Sequence, residues 1–214
     1  MDEETTIINE KTRNERIKNF FIENKKKIIS IIVILILIIF CFFFYKIYKD
    51  NHKEFLSNKY NTAIIDYNNG EKTNIVLAMK DIINNKDRTY SPLALYFLID
   101  NNLISDRNEV NKLFDILINK TSLETEIKNL IIYKKGLFNA DTSNENQLLD
   151  ILKPLMNSKS IWEAHALYLL AEYFYSKNEK QKSKEFFIKI IALKNSNQEI
   201  KQEAQKRLNR DLSD

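Results

Sequence analysis

Ile28 to Tyr45 reads IISIIVILILIIFCFFFY, eighteen residues in which only Ser30 and Cys41 are mildly polar. As a helix rising about 1.5 Å per residue, the run covers roughly 27 Å, close to the thickness of a bilayer's hydrocarbon core. Lys25, Lys26 and Lys27 bound it on one side and Lys46 on the other, and Phe42 to Tyr45 supply the aromatic belt that suits a membrane–water interface. A buried core helix is the competing reading, but such a helix rarely lacks a polar face over this length. A cleaved signal peptide would have a shorter apolar region followed by small residues, whereas this run ends in Phe-Phe-Phe-Tyr-Lys. The expectation is a transmembrane signal anchor at 28–45, preceded by a tail at 1–27 and followed by a domain at 46–214.

Orientation follows from flanking charge. The fifteen residues before the span carry six Lys/Arg (Arg13, Arg16, Lys18, Lys25, Lys26, Lys27), and the fifteen after it carry four (Lys46, Lys49, Lys53, Lys59). The positive-inside rule then leans toward a cytoplasmic N-terminus and an exported C-terminal domain.

The rest of the chain reads as helix. It contains two glycines and two prolines in 214 residues, too little turn punctuation for a sheet-rich fold. Apolar residues recur at helical spacing, with no convincing alternation of period two. The stretch 46–68 is predicted to continue the membrane helix as a stalk with Phe55, Tyr60, Ala63, Ile64 and Tyr67 on its apolar side, and Gly70 is placed as a C-cap. A helix at 71–84 follows. Ser91-Pro92 reads as an N-cap and first helical position opening a helix that buries Leu93, Leu95, Phe97 and Leu98. Its partner near 107–118 carries Val110, Leu113, Phe114 and Leu117. Thr121 and Glu124 form a candidate capping box for a helix with Ile127, Leu130, Ile131 and Tyr133 that ends at Gly136. A helix from about 145 presents Leu148, Leu149, Leu152 and Leu155, with Pro154 kinking or ending it. A terminal helix near 198–212 aligns Ile200, Ala204, Leu208 and Leu212.

Short helices alternating with short polar loops suggest an all-α fold of about four hairpins stacked as an α-solenoid, with the last helix capping the stack. The clearest unit is WEAHALYLLAEYFYSKNEKQKSKEFFIKII, beginning at Trp162, within a repeat at 164–197. Its spacing is that of a tetratricopeptide repeat. Large residues fall at Leu167, Leu170, Phe174 and Phe187, small ones at Ala171 and Ser183, and an apolar one at Ile190. Asn178 occupies the turn, where a left-handed residue is tolerated. Small Ala171 and Ser183 would let the two helices approach while Phe174 and Phe187 fill the groove beside them. The earlier pairs fit this spacing poorly.

Chemistry-bearing constellations are sparse. Gly70 and Gly136 cannot build a phosphate-binding loop. The single cysteine lies in the apolar run, so neither an intramolecular disulfide nor a cysteine metal cluster is available. The two histidines, His52 and His165, are far apart in the chain, and Glu163 lies two residues from His165, which puts the pair on different helix faces. A net charge of +4 spread over interspersed lysines and acids gives no nucleic-acid footprint. The chain reads as a non-enzymatic protein with no cofactor, no metal and no small-molecule substrate. Tyr168, Tyr173 and Tyr175 are candidate partner contacts, with core or inter-repeat packing as the competing role.

The layout, the run LKPLMNSKSIWEAHALYLLAEYFYSKNEKQKSKEFFIKII and the closing IKQEAQKRLNRDL together resemble a family of bacterial inner-membrane proteins that includes the ancillary subunit of the SecYEG translocon. The likeness covers the C-terminal half, and residues 1–158 share layout only. Asn178 stands where that family usually has glycine, and Ser183 where it usually has alanine. The resemblance implies a single-pass protein of the cell inner membrane with a periplasmic tetratricopeptide-like domain. Its implied partners are the SecYEG translocon, periplasmic chaperones and exported proteins. The residues alone leave two other roles open: an envelope-assembly or cell-division adaptor with the same fold, and an organellar protein-import receptor facing the cytosol.

Overall fold

A computed structural model describes residues 15, 18–20, 22–71, 74–194 and 196–212. From Lys25 onward the described residues form α1 (Lys25–Asn68), α2 (Ile75–Asn84), α3 (Tyr90–Asp100), α4 (Arg107–Lys120), α5 (Thr125–Asn139), α6 (Glu145–Leu152), α7 (Trp162–Ser176), α8 (Lys180–Ala192) and α9 (Gln198–Asp211), with no strand among them. The fold is all-α. Arg13 and Arg16, used above for orientation, lie outside the described residues. The chain divides into two units, Met1–Phe55 and Leu56–Asp214.

In the first unit, no residue from Ile28 to Tyr45 is buried. Among the described residues of the unit, nothing covers this helix, which is apolar on every face. One long apolar helix near the N-terminus is compatible with a single-pass membrane protein.

The second unit has two apolar cores. The first gathers Leu56, Met79, Ile82, Ile83, Leu95, Leu98, Phe114 and Leu117 from α1 to α4. The second gathers Leu148, Leu152, Leu170, Phe174, Phe187, Ile190 and Ala204 from α6 to α9. Helix α5 joins them, because consecutive Ile131 and Ile132 point into different cores. Each fully buried Leu, Ile, Met or Phe among them contributes about 1.5–3 kcal/mol of transfer free energy.

Several local readings need correction. The apolar side of α1 beyond the span is set by Leu56 and Ala63, whereas Phe55 is 58% exposed. Helix α3 starts at Tyr90, one residue before the expected cap, because the Asp87 carboxylate accepts from the N–H groups of Thr89 and Tyr90 at 2.8 Å. Ser91 is instead inside the helix, fully buried, donating its hydroxyl to the Ile82 carbonyl at 2.8 Å and so tying α3 to α2. Thr121 does not cap α5; its hydroxyl donates to the Ile116 carbonyl and finishes α4. Gly136 does not end α5, which continues to Asn139. A Cβ built on Gly136 would lie 2.5 Å from Leu152 Cδ2, so its missing side chain lets α5 and α6 cross closely. Gly70 does take a left-handed φ of 89° just past α1. Helix α6 ends at Leu152, before Pro154, and opens with a reciprocal box in which Asn144 and Gln147 each accept the other's N–H at 3.0 Å.

Candidate interaction surface

The C-terminal hairpin shows how its residues are used. Leu167, Leu170, Ala171 and Phe174 on α7 face Ser183, Phe187 and Ile190 on α8, and all seven are buried. Asn178 sits in the turn with φ 62°, the left-handed conformation that asparagine adopts at lower cost than most residues. The rings of Phe174 and Phe186 stack at 5.4 Å. Helix α9 then lies against α8 and α7, burying Ala204 and, just past its end, Leu212. Arg207 of α9 reaches across to α7. Its Nε and Nη2 each donate to one Glu172 carboxylate oxygen at 2.7 Å, and its Nη1 donates to Asp211. The same guanidinium lies 4.5 Å from the centre of the Tyr175 ring. Burial works against its charge, but the bonds to Glu172 and the charges of Glu172 and Asp211 outweigh that and hold its pKa above the ordinary value.

The three candidate tyrosines therefore have partners within the fold. Tyr173 is only 7% exposed and its hydroxyl donates to the Ser143 carbonyl at 3.1 Å. Of the two roles open to it, this geometry favours packing. Tyr168 is half-buried, edge-on to Phe187 at 5.4 Å, and burial is the first cause raising its pKa, followed by Glu172 and Glu203. Tyr175 is half-buried beneath Arg207.

Glu163 and His165 are structural too. The Glu163 carboxylate is buried and accepts from the N–H groups of Asn157 at 2.8 Å and Lys159 at 3.1 Å, holding two residues with φ of 68° and 58° in the loop before α7. His165 Nδ1 lies 3.0 Å from the Ile161 carbonyl, and its ring packs against Tyr133 and Trp162. Among the described residues no three His, Cys, Asp or Glu side chains are grouped to hold a metal ion.

An open apolar recess lies elsewhere. Between α3 and α5 is a cleft of about 370 Å³ lined by Pro92, Leu93, Tyr96, Leu123, Ile127 and Leu130, with Arg88 and Glu124 among its polar members. Leu93 is 40% and Ile127 41% exposed, although both were expected in the core. The Tyr96 hydroxyl is buried without a hydrogen-bond partner among the described residues, and burial, aided by Asp100, pushes its pKa up to about 12. One turn along α5 from Leu130, Tyr133 stacks on Trp162 at 5.6 Å, carrying the aromatic lining toward α7.

The chain matches no protein-family model, no curated protein and no solved structure. The likeness to the translocon family thus rests on the sequence features already quoted. The cleft has a signal in the sequence. Helix α3, YSPLALYFLID, is apolar on more than one face, so packing on α2 and α4 leaves apolar side chains over.

Proposed function

We propose that this chain is a non-enzymatic, membrane-anchored scaffold that binds protein segments through a tetratricopeptide-like helical domain. Its apolar helix serves as anchor, with the N-terminus in the cytoplasm and the domain exported. The observation that carries the reading is the α3–α5 cleft, an open and mainly apolar recess in a unit built on two cores. An exposed apolar recess with a polar edge is the usual mark of a protein-binding surface. The seven interlocked residues of the α7–α8 hairpin support the repeat assignment, and the C-terminal resemblance supports a place beside the SecYEG translocon, with periplasmic chaperones and exported proteins as the other partners.

The test places a photocrosslinking amino acid at Leu93 or Ile127 in the full-length tagged protein, irradiates native membranes and identifies adducts by mass spectrometry. Translocon subunits or exported chains at both positions, with none from a control position at exposed Lys206, are the expected result. Adducts confined to lipid, or an identical pattern at Lys206, would overturn the cleft as the binding surface.

A further inference from the structure

Helices α8 and α9 both pack against α7, but they are attached by different means. Within α8, Ser183, Phe186, Phe187 and Ile190 are buried, whereas within α9 only Ala204 is. Ile200 and Leu208 are half-buried, so α9 offers a thin apolar stripe, Ile200–Ala204–Leu208–Leu212, at four-residue spacing. Across to α7, Arg207 of α9 supplies what the stripe lacks. Arg207 holds Glu172 through two parallel bonds and Asp211 through a third, and Arg210 donates to Asp211 at 2.8 and 2.9 Å. Beneath this helix lie Tyr175, under the Arg207 guanidinium, and Phe187, 5.9 Å from it, with Tyr168 edge-on to Phe187. Local opening of a protein selects the elements with the fewest buried apolar contacts.

We propose that α9 is a latch, and that its release opens the Tyr168–Tyr175–Phe187 face to an amphipathic helix carrying α9's own pattern: four small or aliphatic residues at four-residue spacing and an arginine for Glu172. The occupant's chemistry is read from α9 itself, which shows what that face accepts. A small residue must sit where Ala204 is fully buried, and a bidentate cation must meet the carboxylate. The inference rests on the scaffold reading and gives it a second docking face, distinct from the α3–α5 cleft and closed until the latch opens.

The test uses the full-length chain in detergent, with a fluorescein-labelled synthetic peptide of residues 198–212 as probe. Hydrogen exchange should show α9 amides exchanging at least about tenfold faster than those of α8. Anisotropy should show peptide binding that tightens by about tenfold in the chain variant Arg207→Ala, where the resident helix is loosened and Glu172 is freed. Charge exchange fixes the place: Glu172→Lys in the chain should abolish binding of the natural peptide and restore it for a peptide with Arg207→Glu. Equal protection of α8 and α9 in both the natural chain and Arg207→Ala would overturn the latch. Open α9 with no binding, or binding indifferent to the charge exchange, would overturn the docking face. Neither result depends on the crosslinks at Leu93 and Ile127, so the two readings fail separately.

Discussion

Helix α8 and helix α9 are both amphipathic, both short, and both lie on α7, yet they join the second core by different means. Helix α8 brings Phe187 and Ile190 to complete burial opposite Leu170 and Phe174. Helix α9 brings one fully buried alanine, the half-buried Ile200 and Leu208, and a guanidinium. The difference teaches how a helix of modest apolar content stays attached. An arginine 11% exposed, paired bidentately and lying over two aromatic rings, takes the place of the large side chains that α8 uses. Hydrophobic attachment of the first kind is indifferent to charge, and attachment of the second kind is not.

The largest break in this comparison is Phe187→Ala. Its ring is fully buried and meets Tyr168 at 5.4 Å, so truncation leaves a cavity at the α7–α8 crossing and should cost about 3–5 kcal/mol. Trp162 is the single tryptophan and stacks on Tyr133 at the start of α7. Urea unfolding followed by its fluorescence should show the midpoint falling with no change in slope. Next is Gly136→Ala, where a gain of about 1 kcal/mol in helix propensity meets an overpacking cost of about 1–3 kcal/mol against fully buried Leu152. A net loss of up to about 2 kcal/mol is expected by the same measurement, and a gain would mean that Leu152 moves aside freely.

Acid sharpens the contrast without a mutation. The Asp211 pKa is held below the ordinary carboxylate range, first by the hydrogen bond from Arg210 and then by the charges of Arg207 and Arg210, against the opposing effect of burial. A depressed folded-state pKa contributes stability that is full above the unfolded value, about 4, and lost as pH falls through the folded value. Asp211 pairs with Arg207 and Arg210 of its own helix, so the end of α9 should fray below about pH 4 before the hairpin does. Brief digestion with an acid protease should release fragments of α9 well below that pH and not just above it. Equal cleavage on both sides would remove Asp211 from the latch.

How much of this was legible depends on which forces act. The buried faces of α4 and α9 follow from periodicity, because Val110, Leu113, Phe114, Leu117 and Ala204 repeat at helical spacing and that pattern has one solution. The hairpin was legible because Asn178, Ala171 and Ser183 are short-range features. Gly136, Thr121 and Ser91 misled because their roles are set by neighbours remote in sequence or by a cap on the other side. Gly136 answers to Leu152, Thr121 to Ile116 and Ser91 to Ile82. The partners of Tyr173 and Arg207 were out of reach for a related reason, since nothing local says that Ser143 and Glu172 will meet them. The cleft was hidden for a different reason: periodicity names the apolar residues of α3 and α5 without saying how many of them the neighbouring helices can cover.

The smallest effect concerns the crossing itself. Ser183 is fully buried between α7 and α8, and its hydroxyl has no hydrogen-bond partner among the described residues. A buried hydroxyl without a partner carries a desolvation cost of about 1–3 kcal/mol that an alanine of nearly the same shape does not. Alanine also has the higher helix propensity, by a few tenths of a kcal/mol, about 0.5. Ser183→Ala should therefore stabilise the hairpin by about 1 kcal/mol, part of the gain being offset by the packing contacts of the lost oxygen. The Trp162-reported urea midpoint should rise while α9 exchange is unchanged, since Arg207 and Glu172 are untouched. A fall in the midpoint would show that the hydroxyl bonds within the helix in solution, and that the serine at this crossing contributes more than its size.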